Sequence, residues 1–256
     1  LGKELLGFYS VANHLASLPI NKIAGLIASV AFPAFSKVQA EMATVRAYLR
    51  KSLRLMSMFA FPVFFGMSSI APTAVLIFLG EKWAGAILPL QILSLVMPVR
   101  LISTVIPPVL WGTGNPRVSA ENFLISAVMM VPAFIVGANY GPIGLAFAWT
   151  IVYPVVFLIT TYRAARTVNL RLMDLLNELL RPLIAAAGMY AVVLTVKPVL
   201  YGGQGSAELL LQVIAIGAVT YGVILYAICR DGIVEALDLL RGEKGSDEKL
   251  ESGRPS

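Results

Sequence analysis

ILPLQILSLVMPVRLISTVIPPVLWG, residues Ile87 to Gly112, is the stretch on which the reading of this chain turns. A helix needs roughly 20 mostly apolar residues to cross about 30 Å of hydrocarbon. The stretch exceeds that length, and Arg100 is its one charged residue. It also holds Pro89, Pro98, Pro107 and Pro108. In water an interior proline costs a helix about 3 kcal/mol. Packed membrane helices tolerate the kink because their neighbours satisfy the freed carbonyls. The reading is a bent membrane-spanning helix, and bent helices of this kind surround cavities.

Working outward, six more stretches share the pattern: Leu6–Phe35, Leu55–Leu79, Val118–Ala138, Gly141–Tyr162, Pro182–Tyr201 and Ala207–Cys229. Among them lie Pro19, Pro62, Pro132 and Pro154. The composition agrees: with 58% hydrophobic and 13% charged residues and a mean hydropathy of +0.81, a soluble fold of this length would leave large apolar faces in water. The 20 Lys and Arg and 14 Asp and Glu crowd into short intervals, as loops between spans require. The fold class is therefore an all-α integral membrane protein with about seven transmembrane helices.

Several function classes fall away. The net charge of +6 suits anionic lipid headgroups, and no basic stripe is interleaved with aromatics as nucleic acid binding needs. Cys229 is the single cysteine, so neither an intrachain disulfide nor a cysteine-based metal set can form, and no cofactor is implied. No G-x-x-x-x-G-K-[ST] loop occurs, which excludes ATP hydrolysis within the chain. The opening Leu1-Gly2-Lys3-Glu4 has no basic region followed by a short apolar run; it reads as mid-protein sequence, the start of a fragment.

Lys and Arg set the expected orientation. Lys37, Arg46, Arg50, Lys51, Arg54, Arg117, the four arginines from Arg163 to Arg181 and the five basic residues from Arg230 onward gather on one side, against Lys3, Lys82 and Lys197 on the other. The positive-inside rule puts the crowded side in the cytoplasm, with residue 1 external and residue 256 inside. Two connections have their own periodicity. Val38, Met42, Val45 and Leu49 within Ser36–Arg54, and Leu172, Leu175, Leu176 and Leu179 before Arg181, predict amphipathic helices on the cytoplasmic surface. The polar tail from Gly242 to Ser256 is expected to be disordered.

A set of ordered motifs adds a family. Leu6-Gly7-Phe8-Tyr9-Ser10-Val11-Ala12-Asn13-His14-Leu15-Ala16-Ser17-Leu18-Pro19, then Phe32-Pro33-Ala34-Phe35-Ser36-Lys37-Val38-Gln39, resembles a signature of the Wzx-type polysaccharide flippases of the MOP (multidrug/oligosaccharidyl-lipid/polysaccharide) superfamily. Pro62 with Gly66, Leu79-Gly80-Glu81-Lys82-Trp83, Leu90-Gln91-Ile92-Leu93 and Tyr140-Gly141-Pro142-Ile143-Gly144-Leu145-Ala146 follow in the family's order. The resemblance covers about residues 5–165; beyond it only hydropathy matches. It implies the C-terminal lobe of a two-lobed transporter over residues 1–165, an amphipathic linker with two terminal spans over 166–230, and a cytoplasmic tail over 231–256.

The resemblance further implies a non-enzymatic carrier in the bacterial or archaeal cytoplasmic membrane. Its cargo would be a polyprenyl-diphosphate oligosaccharide, flipped outward by alternating access, and its partners membrane lipids and other polysaccharide assembly proteins. A multidrug or cation antiporter of the same superfamily is the alternative that wants a buried acidic residue. A membrane-bound glycan polymerase or ligase is the other, and it wants larger external loops than Gly80–Ala86, Asn139–Gly141 and Gly202–Ser206.

Ionisable residues inside spans mark candidate sites, because a mid-helix Arg or Lys costs about 2.5–3.5 kcal/mol to insert. Arg100 is the first choice for a cavity-facing cation that meets the diphosphate, since a guanidinium fork matches phosphate oxygens; pairing with Glu121 is the structural alternative. Asn13, Ser17 and Asn21 recur every four residues, and with His14 and Lys22 beside them they form a polar face that either lines a cavity or joins helices. Lys22 would bind phosphate or sugar there, and His14 is either a lumenal proton acceptor or a packing residue. Glu121 is the candidate for ion coupling, with a helix-end pair to Arg117 as its alternative. Gly137, Gly141 and Gly144 predict a tight turn with close helix packing.

Overall fold

The computed structural model describes residues 2–38, 40–200 and 207–228. The loop Gly202–Ser206, Tyr201, Cys229 and the tail lie outside the described residues. Eight α-helices follow one another there: α1 (Lys3–Val38), α2 (Met42–Phe78), α3 (Ile87–Ser103), α4 (Ile106–Gly112), α5 (Pro116–Ala138), α6 (Gly141–Thr167), α7 (Leu172–Leu200) and α8 (Ala207–Ile228), with a 3-10 turn at Glu81–Ala86 before α3. Six units among the described residues are long and apolar enough to cross a membrane: α2, the stretch from Glu81 to Gly112 that contains α3 and α4, α5, α6, α7 and α8. Helix α1, with 36 residues, occupies the place of the first expected span.

The Glu81–Gly112 unit is the centre of the bundle: 56% of its apolar window is buried, against 17% for α5 and for α8. Helix α3 packs on α1, α2 and α6, while α7 and α8 attach through α2. Leu93, Met97, Leu101 and Ile102 supply the fully covered face of α3, against Leu49, Leu53 and Phe64 of α2 in one apolar core. The outward faces remain apolar, with Leu124 at 65% and Ile135 at 65% exposed on α5, as acyl chains require.

Three helix boundaries differ from expectation. The stretch from Met42 to Arg54 is not a separate surface helix: α2 runs unbroken from Met42 to Phe78, and Val45, Leu49 and Leu53 are buried. No proline or glycine interrupts it before Pro62, so the periodic face meant for a membrane surface packs onto the bundle. The linker before span six likewise merges into α7, where Leu175 and Leu179 are buried and Pro182 sits inside the helix. The third span departs in the other direction. A turn at Thr104–Val105, just ahead of Pro107 and Pro108, divides it into α3 and α4.

Donors from neighbouring helices explain how α2 and α7 stay continuous through their prolines. A proline at position i strips the carbonyl of residue i−4 of its helical donor, and at three bends a donor from another helix approaches that carbonyl. Pro62 frees Met58 O, which accepts from Tyr221 Oη of α8 at 2.7 Å. Pro72 frees Ser68 O, which accepts from Gln91 Nε2 of α3 at 3.4 Å; Ser69 O at the same bend accepts from Lys197 Nζ of α7 at 2.9 Å. Pro182 frees Glu178 O, and Ser57 Oγ of α2 lies 3.4 Å away. Near the same point Arg50 and Arg54 of α2 both hold the Glu178 carboxylate, at 2.9 and 2.8 Å.

The α5–α6 connection behaves as its glycines foretell. Gly141 takes φ 74°, a left-handed conformation that glycine adopts without strain. Gly137 and Gly144 bring the two backbones so close that a Cβ on Gly137 would lie 2.6 Å from the Gly144 carbonyl oxygen.

Candidate functional site

Arg100 lies near the end of α3, between the buried Met97 and Leu101, and it is half-buried. Its side chain lies against protein and not outward among acyl chains. The guanidinium carbon sits 4.0 Å from the centroid of the Trp149 ring on α6, a cation–π stack. One of its nitrogens, Nη1, donates to Met97 Sδ at 3.3 Å, and among the described residues it forms no ion pair. The pairing with Glu121 entertained from sequence is therefore absent. Glu121 accepts instead from Arg117 Nε at 3.0 Å, one turn earlier on α5, and from Arg163 Nη2 of α6.

The absence of an acid beside Arg100 decides what the site can do. A guanidinium has five donors in one plane. With its carbon over the Trp149 ring and Nη1 on Met97 Sδ, the guanidinium keeps its other donors clear of any carboxylate among the described residues. A guanidinium edge in a poorly solvated site is suited to a bidentate anion, and phosphate oxygens match its spacing.

Aromatic and hydroxyl groups from three helices surround the stack. Trp149 Nε1 donates to Tyr9 Oη of α1 at 3.0 Å. Phe134 of α5 packs edge-on against Trp149 at 5.3 Å, and Tyr153, one turn along α6, lies at 5.3 Å. Ser103 Oγ lies 2.7 Å from Tyr153 Oη and donates to Arg100 O at 2.7 Å, which ties the end of α3 to α6. On the far side of Ser103 a small cavity of about 80 Å³ opens between α4, α5 and α6, lined in part by Ser119, Asn122, Ser126 and Thr160. Asn122 crosses it, donating to Thr160 O at 3.3 Å and accepting from Arg163 Nε at 2.9 Å.

The α1 candidates divide by exposure. Asn13 and Ser17 are half-buried at the bundle edge, and Asn13 Oδ1 is enclosed with no hydrogen-bond partner. His14, Asn21 and Lys22 are exposed. The chain thus links Arg100 to α1 through Trp149 and Tyr9, while Lys22 lies well beyond Tyr9 along α1 and Glu121 stands apart in its own arginine pair. Sequence reasoning missed Tyr9 and Trp149, the residues that make the link. One signal was present for Tyr9: it precedes Asn13 by four residues, so the polar stripe begins one turn earlier than it was drawn.

A bundle of membrane-length helices, with a half-buried arginine held on a ring where α1, α3 and α6 meet, defines a multi-pass membrane protein with the fold of a lipid flippase. The solved structure of the lipid II flippase MurJ in its inward closed conformation superposes with a TM-score of 0.69, at 19% identity, over 90% of this chain and 48% of that one. Residues 1–88 match the family described as polysaccharide biosynthesis protein. Among curated relatives, the succinoglycan biosynthesis transport protein ExoT of Rhizobium meliloti (strain 1021) is 29% identical over 95% of this chain and 50% of its own length. The teichuronic acid biosynthesis protein TuaB of Bacillus subtilis (strain 168) is 25% identical over 86% and 46%. The lipopolysaccharide biosynthesis protein WzxC of Escherichia coli (strain K12) is 27% identical over 59% and 31%. The resemblance to MOP-type polysaccharide flippases is borne out, and the chain spans about half the length of the first curated relatives it matches, 46% of TuaB and 50% of ExoT.

Proposed function

We propose that this chain is the C-terminal lobe and terminal helices of a non-enzymatic flippase that moves a polyprenyl-diphosphate-linked oligosaccharide across a bacterial cytoplasmic membrane for polysaccharide export. The observation that carries the reading is Arg100: a half-buried guanidinium in a membrane-spanning unit, stacked on Trp149, with no acid beside it among the described residues. Relatives named for polysaccharide transport and biosynthesis support it. In this reading Arg100 meets the diphosphate, and Asn13, His14, Ser17, Asn21 and Lys22 line the route of the headgroup along α1. The crowded basic ends face the cytoplasm, with residue 1 external. Lipid-linked oligosaccharide and membrane lipids are the partners, together with other polysaccharide assembly proteins. Residues 1–165 form the lobe proper and 166–230 the added helices.

A cation antiporter would place a free acid in the bundle. Glu121, 42% exposed in its side chain and shared by Arg117 and Arg163, is poorly suited to that task.

The test is genetic. Deletion of the gene that encodes this chain should abolish external glycan and accumulate its lipid-linked precursor. Complementation with Arg100→Ala should restore at most about a tenth of export, because one charge-assisted bidentate contact is worth roughly 1.5–3 kcal/mol. Lys22→Ala should lower export less. Full export by both variants at wild-type protein levels would remove the site, and unchanged export in the deletion strain would remove the function.

A further inference from the structure

Arg100 is fixed by a ring, and the ring is fixed in turn from three directions. Trp149 takes Arg100 on its face at 4.0 Å, gives its Nε1–H to Tyr9 Oη at 3.0 Å, and is wedged between Phe134 and Tyr153, each with its ring centroid 5.3 Å away. The acceptor that sets the tilt of the indole therefore belongs to α1, on the same helical face as Asn13, Ser17 and Asn21. Arg100 itself has only Met97 Sδ as a hydrogen-bond partner among the described residues, so the indole is what determines where its edge points.

We infer that Trp149 and Tyr9 are positioning residues for anion binding at Arg100. Trp149 holds the guanidinium flat so that its edge meets an anion bidentately, and the Tyr9 hydroxyl ties that presentation to the position of α1. When α1 packs against α6, the indole is pinned and the guanidinium is aimed. When α1 moves away, the Tyr9–Trp149 hydrogen bond breaks, the indole is free to turn, and the edge loses its fixed direction. Affinity for a phosphate-type anion is thereby coupled to the placement of the helix that carries the polar stripe. The inference rests on the reading of Arg100 as the diphosphate ligand.

The test uses the purified chain in lipid nanodiscs, titrated with inorganic pyrophosphate in a calorimeter, with helix melting by circular dichroism to check each variant. Arg100→Gln should weaken binding at least tenfold. Trp149→Leu should weaken it about tenfold, Trp149→Phe, which keeps an aromatic face but loses the N–H, about threefold, and Tyr9→Phe about threefold. In an Arg100→Gln background Trp149→Phe and Tyr9→Phe should have no further effect, since they act only through the guanidinium. Wild-type affinity in Trp149→Phe and Tyr9→Phe, alongside a loss in Arg100→Gln, would overturn the positioning role and leave Arg100 as a ligand. Equal losses in the presence and absence of the arginine would overturn it too. Undiminished binding by Arg100→Gln would bring down both readings. Should Trp149→Leu melt early, Trp149→Phe and Tyr9→Phe decide.

Discussion

Replacing Tyr221 by Phe removes a single hydroxyl from α8, and its consequence depends on a proline in another helix. Pro62 has no N–H, so Met58 O on α2 loses its helical donor, and the Tyr221 hydroxyl donates to it at 2.7 Å. Tyr221 is 9% exposed, so water cannot take over the carbonyl once the hydroxyl is gone. Hydrogen bonds between membrane helices average about 0.6 kcal/mol and reach about 1.7. A bond this short to an otherwise orphaned carbonyl belongs at the upper end, and Tyr221→Phe should cost about 1.5 kcal/mol. The same substitution in a Pro62→Ala background should cost about 0.3 kcal/mol or less, because an alanine N–H at that position restores the helical donor to Met58 O and makes the hydroxyl redundant. Reversible unfolding in mixed micelles against SDS, followed by circular dichroism, measures all four corners of the cycle. If Tyr221→Phe costs the same in both backgrounds within about 0.3 kcal/mol, the proline does not create the need that the tyrosine fills, and the account of the bends is wrong.

Other outcomes follow from the packing. Glu178→Gln should destabilise the chain by about 1 kcal/mol at low salt and by clearly less at about 1 M, since Arg50 and Arg54 are partly exposed and their attraction to the carboxylate is screened; a loss independent of salt would refute the ion-pair account. Gly144→Ala should cost about 1–3 kcal/mol in the same unfolding assay, as its methyl would meet the Gly137 backbone. Gly222→Ala, on α8 where an added Cβ meets nothing within 4 Å, should instead stabilise by about 0.5–1 kcal/mol. The two alanines therefore shift the transition in opposite directions.

Hydropathy made the spans legible because a membrane demands the same thing of every crossing: length and an apolar surface. Periodicity was less faithful at the water boundary. Val45 and Leu49 announce a helix with one apolar face, but nothing in the spacing says whether that face meets lipid headgroups or Leu53 and its neighbours. The outcome hinged on the lack of a breaker between Met42 and Pro62, which turned two expected helices into one. Arg100 stood out at once because a charge in hydrocarbon is costly. Trp149 did not, since an aromatic residue in a span is ordinary and only the fold brings its face to within 4.0 Å of that charge. The pair of Glu121 with Arg117, the alternative to ion coupling, is visible in their four-residue spacing, whereas the contribution of Arg163, 42 residues on, is invisible to local spacing.

The unbroken course of α2 has a mechanical meaning. Its 37 residues extend about 55 Å, against about 30 Å of hydrocarbon, and the arginine-rich end of that length is coupled to α7 through Glu178. A displacement of the arginine-rich end is therefore shared at once with α7 and with the core face of α3, and it reaches the rest of α2 only through the bends at Pro62 and Pro72.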